Sequence, residues 1–234
     1  MQDMFKGAPM SSLPAEVDIA VIPMSIVDGV PAVLLANGAG AELALPTGGL
    51  MAGETLESAA LRILQAQAPV GAAYLEQLYS FATPAAGRTA ITIAYVALVP
   101  GDGFAAPLRG GEQLVLVEVG VPWAGEAGGR VDVCTPGGEP LALVAGDADI
   151  LGQAMLRLRG KLDYSGVGFA LLPGRFTLRQ LQDVHEAILG VRLNKPAFRR
   201  RMLDKGWLEA TGERETGASF RPAELYRFLA PKGA

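Results

Sequence analysis

The residues best equipped for chemistry lie in the stretch GGLMAGETLESAALRILQAQAPV, residues 48–70. A glycine pair, Gly48 and Gly49, an acidic turn at Glu54 and a helix-like run carrying Arg62 give the outline of a phosphate-handling loop and helix. A second concentration of charge lies near the C-terminus, where Lys195, Arg199, Arg200, Arg201 and Lys205 crowd one segment and Arg214 and Arg221 follow. Side chains of that kind meet phosphates and base edges. Cys134 is the only cysteine and His185 the only histidine. Disulfides, thiolate zinc sites and nucleophiles activated by more than one histidine are therefore excluded, and a reducing compartment is expected.

The formal charge of −4 conceals an asymmetry. Residues 1–170 hold 8 Lys/Arg against 17 Asp/Glu, a net of −9, whereas residues 171–234 hold 12 against 7, a net of +5. Charge alone leaves two readings level: a second module facing an anionic partner, or a cluster of solvated charges. A chain of 234 residues exceeds the usual single domain, and an apolar content of 50% suffices for a core. The N-terminus lacks the basic and apolar regions of a signal peptide, and no apolar run approaches bilayer length. A cytoplasmic protein with no membrane partner is expected.

The elements that must position these residues follow from periodicity. VDIAVIPMSIV and VPAVLLA flank the turn signal Asp28-Gly29 and predict a hairpin, and ITIAYVALVP and LVLVEVGVP predict further strands. Leu56, Ala60, Leu61, Leu64 and Ala68 recur at helical spacing until Pro69. Residues 121–140, rich in Pro and Gly, read as a loop. Asp147 and Asp149 lead into a joining helix with Ile150, Leu151, Ala154, Met155 and Leu158 on one side. FTLRQLQDVHEAILG predicts a helix capped by Thr177 and ended at Gly190. NKPAFRRRMLDKG predicts a second, with Asn194 as cap, Pro196 in the first turn, and Phe198, Met202 and Leu203 inward. Two short strands about a Gly-rich tip complete the order of a winged helix-turn-helix, with Arg199, Arg200, Arg201 and Lys205 on or beside the outward face of its second helix. Three consecutive arginines can simply keep a helix soluble. The hairpin bearing Arg214 and Arg221 favours a DNA reader.

The register of residues 48–70 resembles the Nudix box of nucleoside-diphosphate-linked hydrolases. Gly48 matches its leading glycine, Glu54 its following glutamate and Arg62 the arginine that opens its catalytic helix. In that family, glutamates one, four and five residues after the arginine share a helix face and hold magnesium through hard oxygen ligands. Here those positions are Ile63, Ala66 and Gln67, and Pro69 replaces the closing glycine. The likeness continues upstream in LALPTGGL and downstream in YSFATPAAGRTAITIAYVALV, which looks like the strand pair after the box in ADP-ribose-type Nudix proteins. Arg88 in that pair would contact pyrophosphate or ribose, the alternative being an ordinary surface arginine.

With the C-terminal segments LLPGRFTLRQLQDVHEAILG, NKPAFRRRMLDKGWLEATG and RPAELYRF, nearly the whole chain resembles the NrtR-type repressors of bacterial NAD metabolism. The resemblance implies an α+β protein. A Nudix-like α/β/α sandwich with a mixed sheet (1–145) would join, through a helix (146–162), to a winged helix-turn-helix (163–234). It implies a homodimer with no catalytic residue, metal or other cofactor. Gly48, Gly49, Glu54, Arg62 and Arg88 would hold ADP-ribose or a related nucleotide. Lys195, Arg199, Arg200, Arg201, Lys205, Arg214 and Arg221 would hold a palindromic double-stranded operator. Three alternatives stay open: an active Nudix pyrophosphatase with a basic appendage, an adaptor that binds protein, and a nucleotide- or sugar-sensing regulator of another pathway.

Overall fold

Asp28 and Gly29 both take positive φ, 50° and 81°, the combination that closes a two-residue type I′ turn. The turn joins β1 (Ala15–Val27) to β2 (Val30–Asn37), with Val27 opposite Val30. The computed structural model describes residues 15–38, 40–71, 74–85, 88–104, 114–216 and 222–229, with the side chains at 15, 83–85, 88 and 89 outside the description. On its other side β1 runs parallel to β6 (Arg88–Leu98), Ile19 opposite Ile93. β5 (Tyr74–Ala85) closes that edge, while β7 (Leu114–Gly120) and β8 (Asp132–Cys134) extend the sheet beyond β2 in the order β5-β6-β1-β2-β7-β8. One parallel pair in an otherwise antiparallel sheet makes it mixed.

Alternation along these strands feeds two cores. Ile19, Val21, Leu34, Tyr95 and Ala97 face α1 (Leu56–Gln67), which contributes Ala59, Ala60, Ile63 and Leu64. Ile22, Met24, Val33, Leu35, Val96 and Leu98 face α2 (Asp147–Lys161), which contributes Ile150, Leu151, Ala154, Met155 and Leu158. The period of two in the strands thus builds an α/β/α sandwich. The second core does not stop at α2. It continues into Phe169, Phe176, Leu181, Ile188, Phe198 and Met202 of the C-terminal module.

That module opens with a 3₁₀ turn, Val167–Leu171, followed by α3 (Leu178–Leu189), α4 (Lys195–Asp204), β9 (Leu208–Arg214) and β10 (Glu224–Phe228). Thr177 and Gln180 form a reciprocal capping box, Gly190 ends α3 at φ 70°, and Asn194 caps α4 through the Ala197 N–H. Phe176 exchanges two main-chain hydrogen bonds with Tyr226 and adds a third edge to the β9–β10 pair. Phe169 stacks on Phe228 at 4.3 Å beneath it.

The structure departs from the sequence expectations at three points. Residues 121–140 contain the short strand β8, whose period is masked by flanking Pro and Gly but which pairs Glu118 with Cys134. The glycine pair lies in β4 (Thr47–Gly49), which follows the short β3 (Leu43–Ala44) and pairs antiparallel with β1. Leu203 is 47% exposed instead of inward, because Phe198 and Met202, one turn apart, already fill the buried stripe of α4.

Candidate functional site

The loop–helix region is built from glycine pairing outward. Gly48 lies opposite Ile19 and Gly49 opposite Asp18. A Cβ at Gly48 would come within 3.2 Å of Ile63, so the missing side chain lets α1 seat against the sheet. Thr55 and Ser58 cap α1 reciprocally. Arg62 then forks onto Glu54, Nε to Oε1 at 2.7 Å and Nη2 to Oε2 at 2.9 Å, and Nη2 also donates to the Gly49 carbonyl at 3.0 Å. The Met51 N–H donates to the same carboxylate at 3.1 Å. Hydrogen bonding from Arg62 holds the Glu54 carboxyl below its ordinary pKa, and Glu54 in turn raises that of Arg62.

Four of the five residues assigned to a ligand are therefore contiguous, and Arg62, Glu54 and Gly49 hold one another. Arg88 stands apart: it opens β6 four residues before Thr92, the partner of Asp18, which is roughly 13 Å along the strand. Its side chain is outside the description. The family's three carboxylate positions have other occupants. Ile63 is 1% exposed in the core, Ala66 is an exposed methyl, and Gln67 clamps Thr47 by accepting from its N–H at 3.2 Å and donating to its carbonyl at 2.7 Å. Among the described residues, no group of three His, Cys, Asp or Glu could hold a metal ion.

Helix α4 divides into two flanks. Lys195, Arg199 and Arg200 are exposed and make no hydrogen bond or ion pair among the described residues. Arg201 and Lys205 instead turn back to the end of α2: Arg201 Nη1 lies 3.2 Å from Asp163 Oδ1, and Lys205 Nζ donates to the Asp163 carbonyl. Lys205 also sits 4.5 Å over the Trp207 ring. Of the four cations expected on or beside the outward face, Arg199 and Arg200 point to solvent and Arg201 and Lys205 lie on the flank that meets Asp163. Arg214 is exposed on β9 and donates to the Pro222 carbonyl at 3.1 Å. Arg221 lies outside the described residues.

Sequence reasoning missed two features. A cleft of about 910 Å³ opens between the β1–β2 turn and α3, with an apolar floor including Ile26, Val30, Leu172 and Val184 and a rim of Asp28, Asp102 and Asp183. Its lining comes from four separate segments, so no local motif could mark it. The other feature is Arg159 on α2, 6% exposed, which donates to the carbonyls of Ile188, Trp123 and Gly125 at 2.8–3.0 Å and lies 4.5 Å over the Trp123 ring. Burial lowers its pKa. Its only advance signal is an arginine set on the apolar side of a helix.

Residues 168–228 match the NrtR DNA-binding winged helix domain. The ADPR responsive transcriptional repressor NtrR of Acinetobacter baylyi is 48% identical over 80 residues, 34% of this chain; the match spans only 32% of that protein. Across almost the whole length, the chain is similar to the crystal structure of Shewanella oneidensis NrtR complexed with a 27mer DNA, with 26% identity, 91% of this chain and 93% of that chain covered, and a TM-score of 0.72. A MutT/nudix family protein from Enterococcus faecalis, 18% identical, shares the fold at a TM-score of 0.74 over 93% of this chain and 89% of its own. Fold and site together define a Nudix-like domain fused to a winged helix. Within that class, residues 168–228 carry the NrtR-type winged helix, and the whole chain is similar in fold to NrtR. Among the described residues, no helix is long and apolar enough to cross a membrane.

Proposed function

We propose that this protein is a DNA-binding transcriptional repressor of NAD-metabolism genes that works in the cytoplasm as a homodimer on a palindromic operator. Its Nudix-like domain senses ADP-ribose or a related nucleotide and does not hydrolyse it. The observation that carries the reading is the exposed row Lys195, Arg199 and Arg200 on the second helix of an NrtR-type winged helix. Helix α4 enters the major groove with this row, while Arg214 on the wing reaches a phosphate. The Acinetobacter relative, described as ADPR responsive, supports ADP-ribose as effector, and the DNA-bound Shewanella structure supports the operator.

Loss of turnover follows from the occupants of the box. Ile63, Ala66 and Gln67 offer no carboxylate to a metal ion, so no water is oriented for attack. Binding remains possible. An anionic nucleotide reaching Gly48 and Gly49 competes with Glu54 for the Arg62 fork, and Arg88 supplies a further contact from the start of β6. Helix α2 carries the response: its first residue, Asp147, accepts from the Leu45 N–H at 2.8 Å just before β4, and its far end meets the reading helix through Asp163.

A mobility shift on the promoters next to the protein's own gene, repeated with ADP-ribose, NAD, AMP and a sugar panel, tests the reading. ADP-ribose should release the DNA and be recovered intact after incubation with Mg²⁺ or Mn²⁺. Metal-dependent turnover abolished by Glu54→Gln would overturn the non-catalytic sensor, and salt-insensitive DNA binding unaffected by Arg199→Ala would overturn the reader. Release by a sugar alone would move the protein to another pathway.

A further inference from the structure

Arg201 differs from its neighbours Arg199 and Arg200 in having an acidic partner on another element. The Asp163 carboxylate lies just beyond the C-terminal end of α2 and meets Arg201 through one nitrogen at 3.2 Å, with the two side chains 73% and 43% exposed. An ion pair this exposed contributes little to stability and exchanges readily. A phosphate offers the same guanidinium a bidentate, charge-assisted partner. Arg201 also lines a shallow concavity of about 500 Å³ with Ala197, Arg200, Asp204 and Lys205. A phosphate drawn to Arg200 therefore arrives beside Arg201. Lys205 is held differently, by the Asp163 carbonyl and the Trp207 ring, and remains part of the framework.

The position of Asp163 is set by the N-terminal domain. Two residues before it, Lys161 pairs with Glu76 of β5 at 2.7 Å, both side chains about one-fifth exposed, and Arg157 donates to the Leu78 carbonyl on the same strand at 3.2 Å. A shift of α2 along β5 moves Asp163 relative to α4. We propose that Asp163 is a latch that occupies Arg201 in the free protein and yields it to the DNA backbone on binding, so that the Nudix-like domain controls one phosphate contact of the reader. The proposal rests on the DNA-binding reading.

The test is a salt titration of duplex binding by the full chain, wild type against Asp163→Ala, each also in an Arg201→Ala background. DNA is the competitor that displaces the latch, so removing Asp163 removes a competitor. Asp163→Ala should bind tighter than wild type at high salt and low salt alike, by a similar fold, with the same salt slope, because both forms make the Arg201–phosphate contact once bound. Arg201→Ala should lower the slope by about 0.9 in log–log terms, one phosphate's share, and in that background Asp163→Ala should bring no gain. Asp163→Asn, which keeps the side-chain shape, should reproduce the gain if Ala perturbs folding. Unchanged or weaker binding by both Asp163 variants, or a gain that persists without Arg201, overturns the latch while leaving the reader standing. Absence of salt-dependent duplex binding in wild type removes both.

Discussion

His185 lies 2% exposed under the ring of Phe198, centroids 5.0 Å apart, and its Nδ1 is 2.8 Å from the Leu181 carbonyl. Burial, aided by the nearby cations of Arg201 and Lys205, lowers its pKa from 6.5 to about 4, against the opposing pull of the Leu181 carbonyl and Asp163. The native state therefore keeps this imidazole neutral while the unfolded chain protonates it. Stability is lost as pH falls from about 6.5 to about 4, by on the order of 3 kcal/mol for a shift of this size. His185→Leu should flatten the unfolding free energy over that window in denaturant melts; a slope equal to wild type would mean that another group titrates there. Glu186 acts lower on the scale. Held at about 2 by the Leu193 N–H, Gln182 and Arg192, it contributes stability above about 4.5 that is lost as pH falls towards 2, so the variant should still unfold in stronger acid.

At the scale of elements, α2 is the strut. Its 15 residues run about 22 Å, from the Leu45 contact towards α4. The loop before β8 closes over it so tightly that a Cβ at Gly152 would sit 2.0 Å from the Gly129 carbonyl oxygen. Alanine is the better helix former by about 1 kcal/mol. The obstruction is backbone, however, and no rotamer change relieves it. Gly152→Ala should therefore be destabilising overall, by about 1–3 kcal/mol, and lower Tm by several degrees. Gly174→Ala, where a Cβ meets nothing within 4 Å, should leave Tm near that of wild type. Equal melting temperatures for the two variants would show that the loop does not seat on α2. The same loop is tied down by Arg159, which joins it to the end of α3.

At the scale of the molecule, one buried cluster runs from the sheet through α2 into α3 and α4. A continuous core of this kind gives the two ends of the chain a shared packing state, which is what linkage between effector and operator requires. If ADP-ribose weakens operator binding, operator must weaken ADP-ribose binding by the same factor, roughly 5- to 150-fold. Calorimetric titration of ADP-ribose into the protein with and without operator measures this, and equal affinities would show that the domains are uncoupled. Arg88→Ala should blunt the release while leaving DNA affinity in the absence of ligand unchanged. A dimer placing two copies of α4 about one DNA turn apart would give such a small module useful affinity.

Local patterns carried much of this into the sequence. The Asp28-Gly29 turn, the Thr177 and Asn194 caps, the stop at Gly190 and the two-residue period of β1 and β6 are dictated within a few residues, so hairpin and helices were legible in order, while the sandwich was implied only by the resemblance of the box. The degenerate box was legible too, because Ile63, Ala66 and Gln67 stand at fixed offsets from Arg62. Only the tertiary structure decided which charges are engaged. Arg199 and Arg201 look alike in sequence, yet 200° of helical rotation puts one in solvent and the other against Asp163. Arg62 and Glu54 are eight residues apart in sequence, and packing of α1 on β4 is what brings them together. Periodicity says which face of an element is buried. It does not say what that element packs against, and the partner of a polar side chain is set by that packing.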